Sequence, residues 1–127
     1  MIIKKCFSKK IPSYGPYSTY VLVDNFLFVS GQIAIDKKTG ILISNSIEIE
    51  TKKVMENLEI ILSENKIGFQ NVIKTSLFVK EMNHFSKINN VYSTFFHEKS
   101  YPARETIQVS GLPKNANIEI SLIAYKN

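Results

Sequence analysis

The sequence has no tryptophan, one cysteine, two histidines and one arginine. Each scarcity narrows what the chain can be. A single cysteine, Cys6, excludes an internal disulfide and fits a reducing compartment, so a cytoplasmic location is expected. His84 and His97, thirteen residues apart, complete no recognisable zinc pattern with it. No apolar run approaches the roughly 20 residues that span a bilayer. The basic opening, MIIKKCFSKKIP, holds apolar pieces too short for a signal-peptide core and lacks the arginines of a mitochondrial presequence. Neither a membrane partner nor a metal is therefore expected.

What is present is a chain of 127 residues, 44% hydrophobic, with eight Phe and six Tyr to fill a core. That length fits one domain over residues 1–127. The net charge is +5, but the lysines are scattered as pairs and singles with no run of like charge. Such a pattern reads as a solvated surface, and no specific nucleic-acid partner is expected.

The hydrophobic pattern alternates between two periods. YVLV and FLFVS (20–23 and 26–30) are β-rich, with Asp24-Asn25 as turn material between them. Residues 45–68 carry apolar side chains at 47, 54, 55, 58, 61 and 62, which predicts a long amphipathic helix. Asn45 with Glu48 resembles a capping box at its start, and Gly68 is the expected stop. NVIKTSLFVKE (71–81) reads as a strand. A second amphipathic helix follows over 83–100, its apolar side holding Phe85, Ile88, Val91, Tyr92, Phe95 and Phe96. Strands are then expected at 103–109 and 117–126, with one more before Pro12. An α+β layer, one sheet with both helices on one face, is the natural solution. The uncovered face then calls for a partner subunit.

Arg104 is the first candidate for chemistry, because the other fifteen basic residues are all lysine. A guanidinium presents a flat fork of donors that matches a carboxylate two-to-two, which an ammonium does not reproduce. Pro102 places it at the head of a strand, and alternation puts Arg104, Thr106 and Gln108 on one face and Glu105 on the other. Glu119, near the start of the next strand, is a carboxylate able to orient or deprotonate a water. If those two strands pair, Glu119 need not face Arg104 directly, but it could approach it within one subunit or across an interface. Tyr17 leaves the Gly15-Pro16 turn with a phenol for hydrogen bonding. Ser30-Gly31 ends a strand where a ligand can come close to the backbone.

Several fragments recur together and in order: GPY, SGQI followed by TG, KTSLFVKEMNHFSKIN, YPAR, GLPKNANIEI and the final IA. As a set they resemble the Rid, or YjgF/UK114, family of enamine/imine deaminases, over residues 3 to 126. The resemblance implies a chorismate-mutase-like fold, one mixed β-sheet with two α-helices on one face, assembled as a homotrimer with clefts between subunits. It leaves no residues for a targeting peptide and implies no cofactor. The implied reaction hydrolyses 2-iminobutanoate and 2-iminopropanoate to 2-oxo acids and ammonia. Residue by residue, Arg104 matches the arginine that grips the substrate carboxylate, and Glu119 the glutamate that positions water. Tyr17, Ser30, Gly31 and Asn89 match positions lining the cleft, and Thr106 stands where many relatives have cysteine. Glu105 replaces a small residue and Ser121 a second glutamate. Two rivals remain from other classes: an RNA-binding or RNA-cleaving translation inhibitor, and a non-catalytic trimer acting as chaperone or metabolite sensor.

Overall fold

The computed structural model describes residues 1–127. Six strands and two helices follow in the order β1 (Ile3–Cys6), β2 (Tyr20–Val23), β3 (Phe26–Gln32), α1 (Ile47–Glu64), β4 (Val72–Val79), α2 (Phe85–Tyr92), β5 (Ala103–Gln108) and β6 (Ile118–Tyr125). The strands form one mixed sheet in the order β1-β2-β3-β6-β4-β5. All neighbours are antiparallel except β4 and β5, which run parallel because α2 carries the chain across between them.

The expected α+β architecture is present, with three local differences. The first helix is capped by Ser46, not Asn45: its hydroxyl accepts from the Ile49 amide at 3.1 Å while its backbone is extended. The helix also ends before Gly68. Lys66 takes the left-handed turn at φ 61°, and the Asn65, Lys66 and Ile67 amides close onto Leu62 and Ser63 carbonyls. The second helix is shorter than its apolar pattern, because 3₁₀ turns at Met82–His84 and Ser93–Phe95 flank α2.

Alternation along β6 sets the two faces of the sheet. Ile118, Ile120, Leu122 and Ala124 are buried, while Glu119, Ser121 and Ile123 point the other way. The buried face meets α1 and α2 in one core cluster that includes Leu27, Leu77, Ile120, Met55, Leu58 and Ile88. Two buried polar side chains of α1 brace strand ends. Glu50 accepts from the Asn117 backbone and side-chain amides at 2.7 and 2.8 Å, and Asn57 donates to the Ile33 and Ile35 carbonyls. The opposite face is uncovered and apolar: Ile3, Phe26, Phe28, Ile107 and Tyr125 are exposed on it, Phe28 to 43%. No helix is long and apolar enough to cross a membrane.

Candidate active site

β5 and β6 do not pair; β4 lies between them. This decides where the two charged candidates sit. Arg104 lies in the row Arg104–Thr75–Leu122, whose last two members are buried beneath the helices. Glu119 lies in the row Ile107–Phe78–Glu119 on the uncovered face. Period-two alternation therefore points them to opposite sides of one sheet.

On the helix side, the Arg104 guanidinium lies over two rings of α2, 4.9 Å from the Tyr92 centroid and 5.4 Å from that of Phe85. Those rings are seven residues apart, two helical turns, so they share a face. Arg104 has no carboxylate partner in the chain. Its fork opens into a cavity of about 290 Å³ lined also by Asn89, Tyr92, Tyr101 and Pro102. Glu105 turns away as alternation requires. Its carboxylate accepts a hydrogen bond from the Ser76 hydroxyl and pairs with Lys74 at 3.1 Å, and these contacts hold its pKa below the usual carboxylate range. It therefore leaves Arg104 free.

On the other side, the register between β3 and β6 slips between Val29 and Gln32, and Ser30-Gly31 forms the bulge. Glu119 fills the space this opens. A Cβ on Gly31 would lie 2.5 Å from Glu119 Oε2, so glycine here is a requirement of close approach. Glu119 accepts no hydrogen bond and makes no ion pair within the chain, and partial burial raises its pKa. With Tyr17, Gly31, Gln32 and Lys114 it lines a second cavity of about 280 Å³. Tyr17 is 46% exposed at its rim. A desolvated carboxylate without a partner is suited to accept a proton from water.

The seven candidates thus separate. Arg104 and Asn89 share one cavity, while Tyr17, Gly31 and Glu119 share the other, and the two have no lining residue in common. Ser30 lines neither; its hydroxyl donates to the Ser18 carbonyl at 2.7 Å. Thr106 follows Arg104 on the helix side and lines neither cavity. Sequence reasoning counted Phe85 and Tyr92 as core. Their two-turn spacing was the available signal, but nothing in the pattern says which strand residue lies over them. No three His, Cys, Asp or Glu side chains converge as a metal ligand set.

Residues 7–126 match the endoribonuclease L-PSP family. The chain belongs to this family, also called Rid or YjgF. It is 46% identical over 121 residues, 94% of each chain, to a RutC family protein of Pyrococcus abyssi. It is 38% identical over 127 residues to the mouse 2-iminobutanoate/2-iminopropanoate deaminase, covering 98% of this chain and 93% of the mouse protein. Its fold superposes on Escherichia coli TdcF with bound serine at a TM-score of 0.90, with 31% identity over 98% of this chain and 99% of TdcF. The relatives that this chain resembles thus include imine deaminases.

Proposed function

We propose that the protein is a 2-iminobutanoate/2-iminopropanoate deaminase. It takes the imines that arise from enamines such as 2-aminoacrylate, and releases 2-oxo acids and ammonia in the cytoplasm. The observation that carries this reading is a pair of unsatisfied charges: a guanidinium fork without a carboxylate and a desolvated carboxylate without a donor. A 2-imino acid complements both. Its carboxylate takes the Arg104 fork, and its electrophilic carbon, one bond away, waits for water.

Glu119 removes a proton from water as the oxygen bonds to the imine carbon, and the C=N electron pair moves to nitrogen, which is protonated. Protonated Glu119 then returns that proton to the carbinolamine nitrogen, the C–N bond breaks with its electrons leaving on ammonia, and the hydroxyl proton passes back to Glu119 as C=O forms. The ordinary electrophilicity of a protonated imine leaves the protein mainly the work of binding and placement. To Tyr17, which lines the Glu119 cavity, we assign a hydrogen bond to the nitrogen.

A substrate of three or four carbons is too short to touch both faces of one sheet, whose packed layers are roughly 10 Å thick. The working site therefore lies between copies, with the Arg104 half of one subunit meeting the Glu119 half of its neighbour in a homotrimer. The exposed apolar face that carries Phe28 and Ile107 supports such an assembly. Neither His84 nor His97 lines either cavity, which removes the usual acid–base pair for RNA cleavage from the site.

The test couples a threonine dehydratase to the purified protein and follows loss of the imine. Accelerated decay with the parental chain, and none with Arg104→Ala, is expected. Unchanged decay with the parental chain overturns the reading, and carboxylate binding without turnover identifies a metabolite sensor.

A further inference from the structure

We infer that Tyr92 and Thr75 are positioning residues that fix the plane of the Arg104 guanidinium, and so set how tightly the chain binds a substrate carboxylate. The inference deepens the proposed function and rests on its assignment of Arg104 to the substrate carboxylate.

Two independent contacts converge on Tyr92. Its ring face lies under the guanidinium at 4.9 Å, and its hydroxyl shares a 2.8 Å hydrogen bond with the Thr75 hydroxyl. Thr75 is 1% exposed and is the β4 residue registered directly against Arg104. The strand that neighbours Arg104 therefore locks the ring on which Arg104 rests. Behind it the ring is wedged by Phe96, centroids 4.8 Å apart, and Phe96 packs on Phe69 at 5.2 Å. Tyr92 is 4% exposed, so this ring is a fixed part of the core rather than a mobile surface group. Phe85 completes a two-ring platform, but it is 41% exposed and has no comparable anchor.

A guanidinium is planar and weakly hydrated, so it can lie flat on an aromatic face and still present its edge donors. The fork's orientation then need not be selected from many rotamers when substrate arrives. An ammonium on the same platform has no plane to align. Burial raises the Tyr92 pKa, with the Thr75 bond and the Arg104 charge acting against it, so the phenol stays protonated as the hydrogen bond to Thr75 allows.

The chain's single arginine makes the test direct, because its Nε–H gives the sole arginine side-chain signal in a ¹⁵N–¹H spectrum. Dissociation constants for 2-oxobutanoate, a stable carboxylate probe, are measured by calorimetry beside KM and kcat. Tyr92→Leu is expected to weaken probe binding by roughly tenfold. KM should rise in step while kcat changes less, and the Nε–H signal should lose its ring-current shift. Tyr92→Phe and Thr75→Val keep the ring and remove the lock. Each should weaken binding a few-fold, about 3-fold, and the double variant no more than either alone.

Parental affinity and an unshifted Nε–H signal in Tyr92→Leu overturn the inference. Should that variant fail to fold, the same pair of results in Tyr92→Phe and Thr75→Val overturns it. Failure of the underlying reading looks different: Arg104→Ala would then bind 2-oxobutanoate as the parental chain does.

Discussion

Arg104 and Glu119 belong to one sheet and meet opposite conditions. Arg104 is held against aromatic faces that favour its charge. Glu119 is pressed into a bulge against a glycine, makes no hydrogen bond or ion pair, and its burial disfavours its charge. Strand β4, between β5 and β6, and the alternation of side chains keep them on separate faces. On the proposed reading, one chain thus holds two half-sites and no complete one.

The largest effect should come from mixing. Arg104→Ala and Glu119→Gln are each expected to be inactive alone. If the halves meet only between copies, joint refolding pairs an intact Arg104 half with an intact Glu119 half in about a quarter of the clefts of a randomly mixed ring. Activity should return from nothing to about a quarter of the parental value. A mixture as inactive as its components would mean that each site is completed within one chain.

Arg104→Lys tests the first half alone. It retains the charge and loses the fork and the stacking plane. We expect about a 100-fold loss in kcat/KM, or ~2.7 kcal/mol, with the melting temperature little changed. Parental kcat/KM in this variant would remove the fork from the argument.

Gly31→Ala tests the other half. The added Cβ would fall 2.5 Å from Glu119 Oε2 and 2.6 Å from its Cδ, so the carboxylate must move. The obstacle is the end of a flexible side chain, so the fold survives. A displacement of this size should lower kcat by roughly 10- to 100-fold, measured beside circular dichroism to show the fold intact.

Much of the fold was legible because hydrophobic period reports burial locally. The helices, the strands and their order follow from the spacing of Val54, Leu58 and Ile61, and from the alternation through Ile118, Ile120 and Leu122. The details that differed are ones where neighbours compete on nearly equal terms: Ser46 against Asn45 for the cap, and Lys66 against Gly68 for the turn. For the site, the oddity of a lone arginine could be read directly, whereas Ser30-Gly31, expected as a strand end, is a bulge inside β3. Strand pairing could not, since nothing local says that β6 inserts between β3 and β4. That non-local fact separates Arg104 from Glu119, and with it the platform of Tyr92 and Phe85 stayed hidden inside an apolar stripe.

A smaller effect concerns the Glu119 charge. Its folded pKa lies above its unfolded value, so its protonated form favours folding below the unfolded pKa, and that contribution is lost as pH rises through the folded value. Glu119→Gln should therefore gain stability at neutral pH, and the gain should shrink as the solution is acidified. Melting curves at pH 7 and pH 4 check this; a gain independent of pH would mean that desolvation of the charge is not its source. If the proposed activity holds, the same shift in the parental chain should lift the acid limb of kcat/KM above the usual carboxylate range.

The smallest effect belongs to Glu105, the carboxylate adjacent to Arg104 that does not reach it. Its contacts with Ser76 and Lys74 lower its pKa, which is the opposite of the Glu119 case. Its stabilisation is present above the unfolded pKa and is lost as pH falls through the folded one. Glu105→Gln should lower the melting temperature slightly at pH 7 and not at pH 3, and it should leave kcat/KM for the imine within about twofold, as for surface pairs remote from chemistry. A marked gain in carboxylate affinity in this variant would mean that Glu105 competes for Arg104 in solution, so that the two faces of β5 are less separate than alternation makes them.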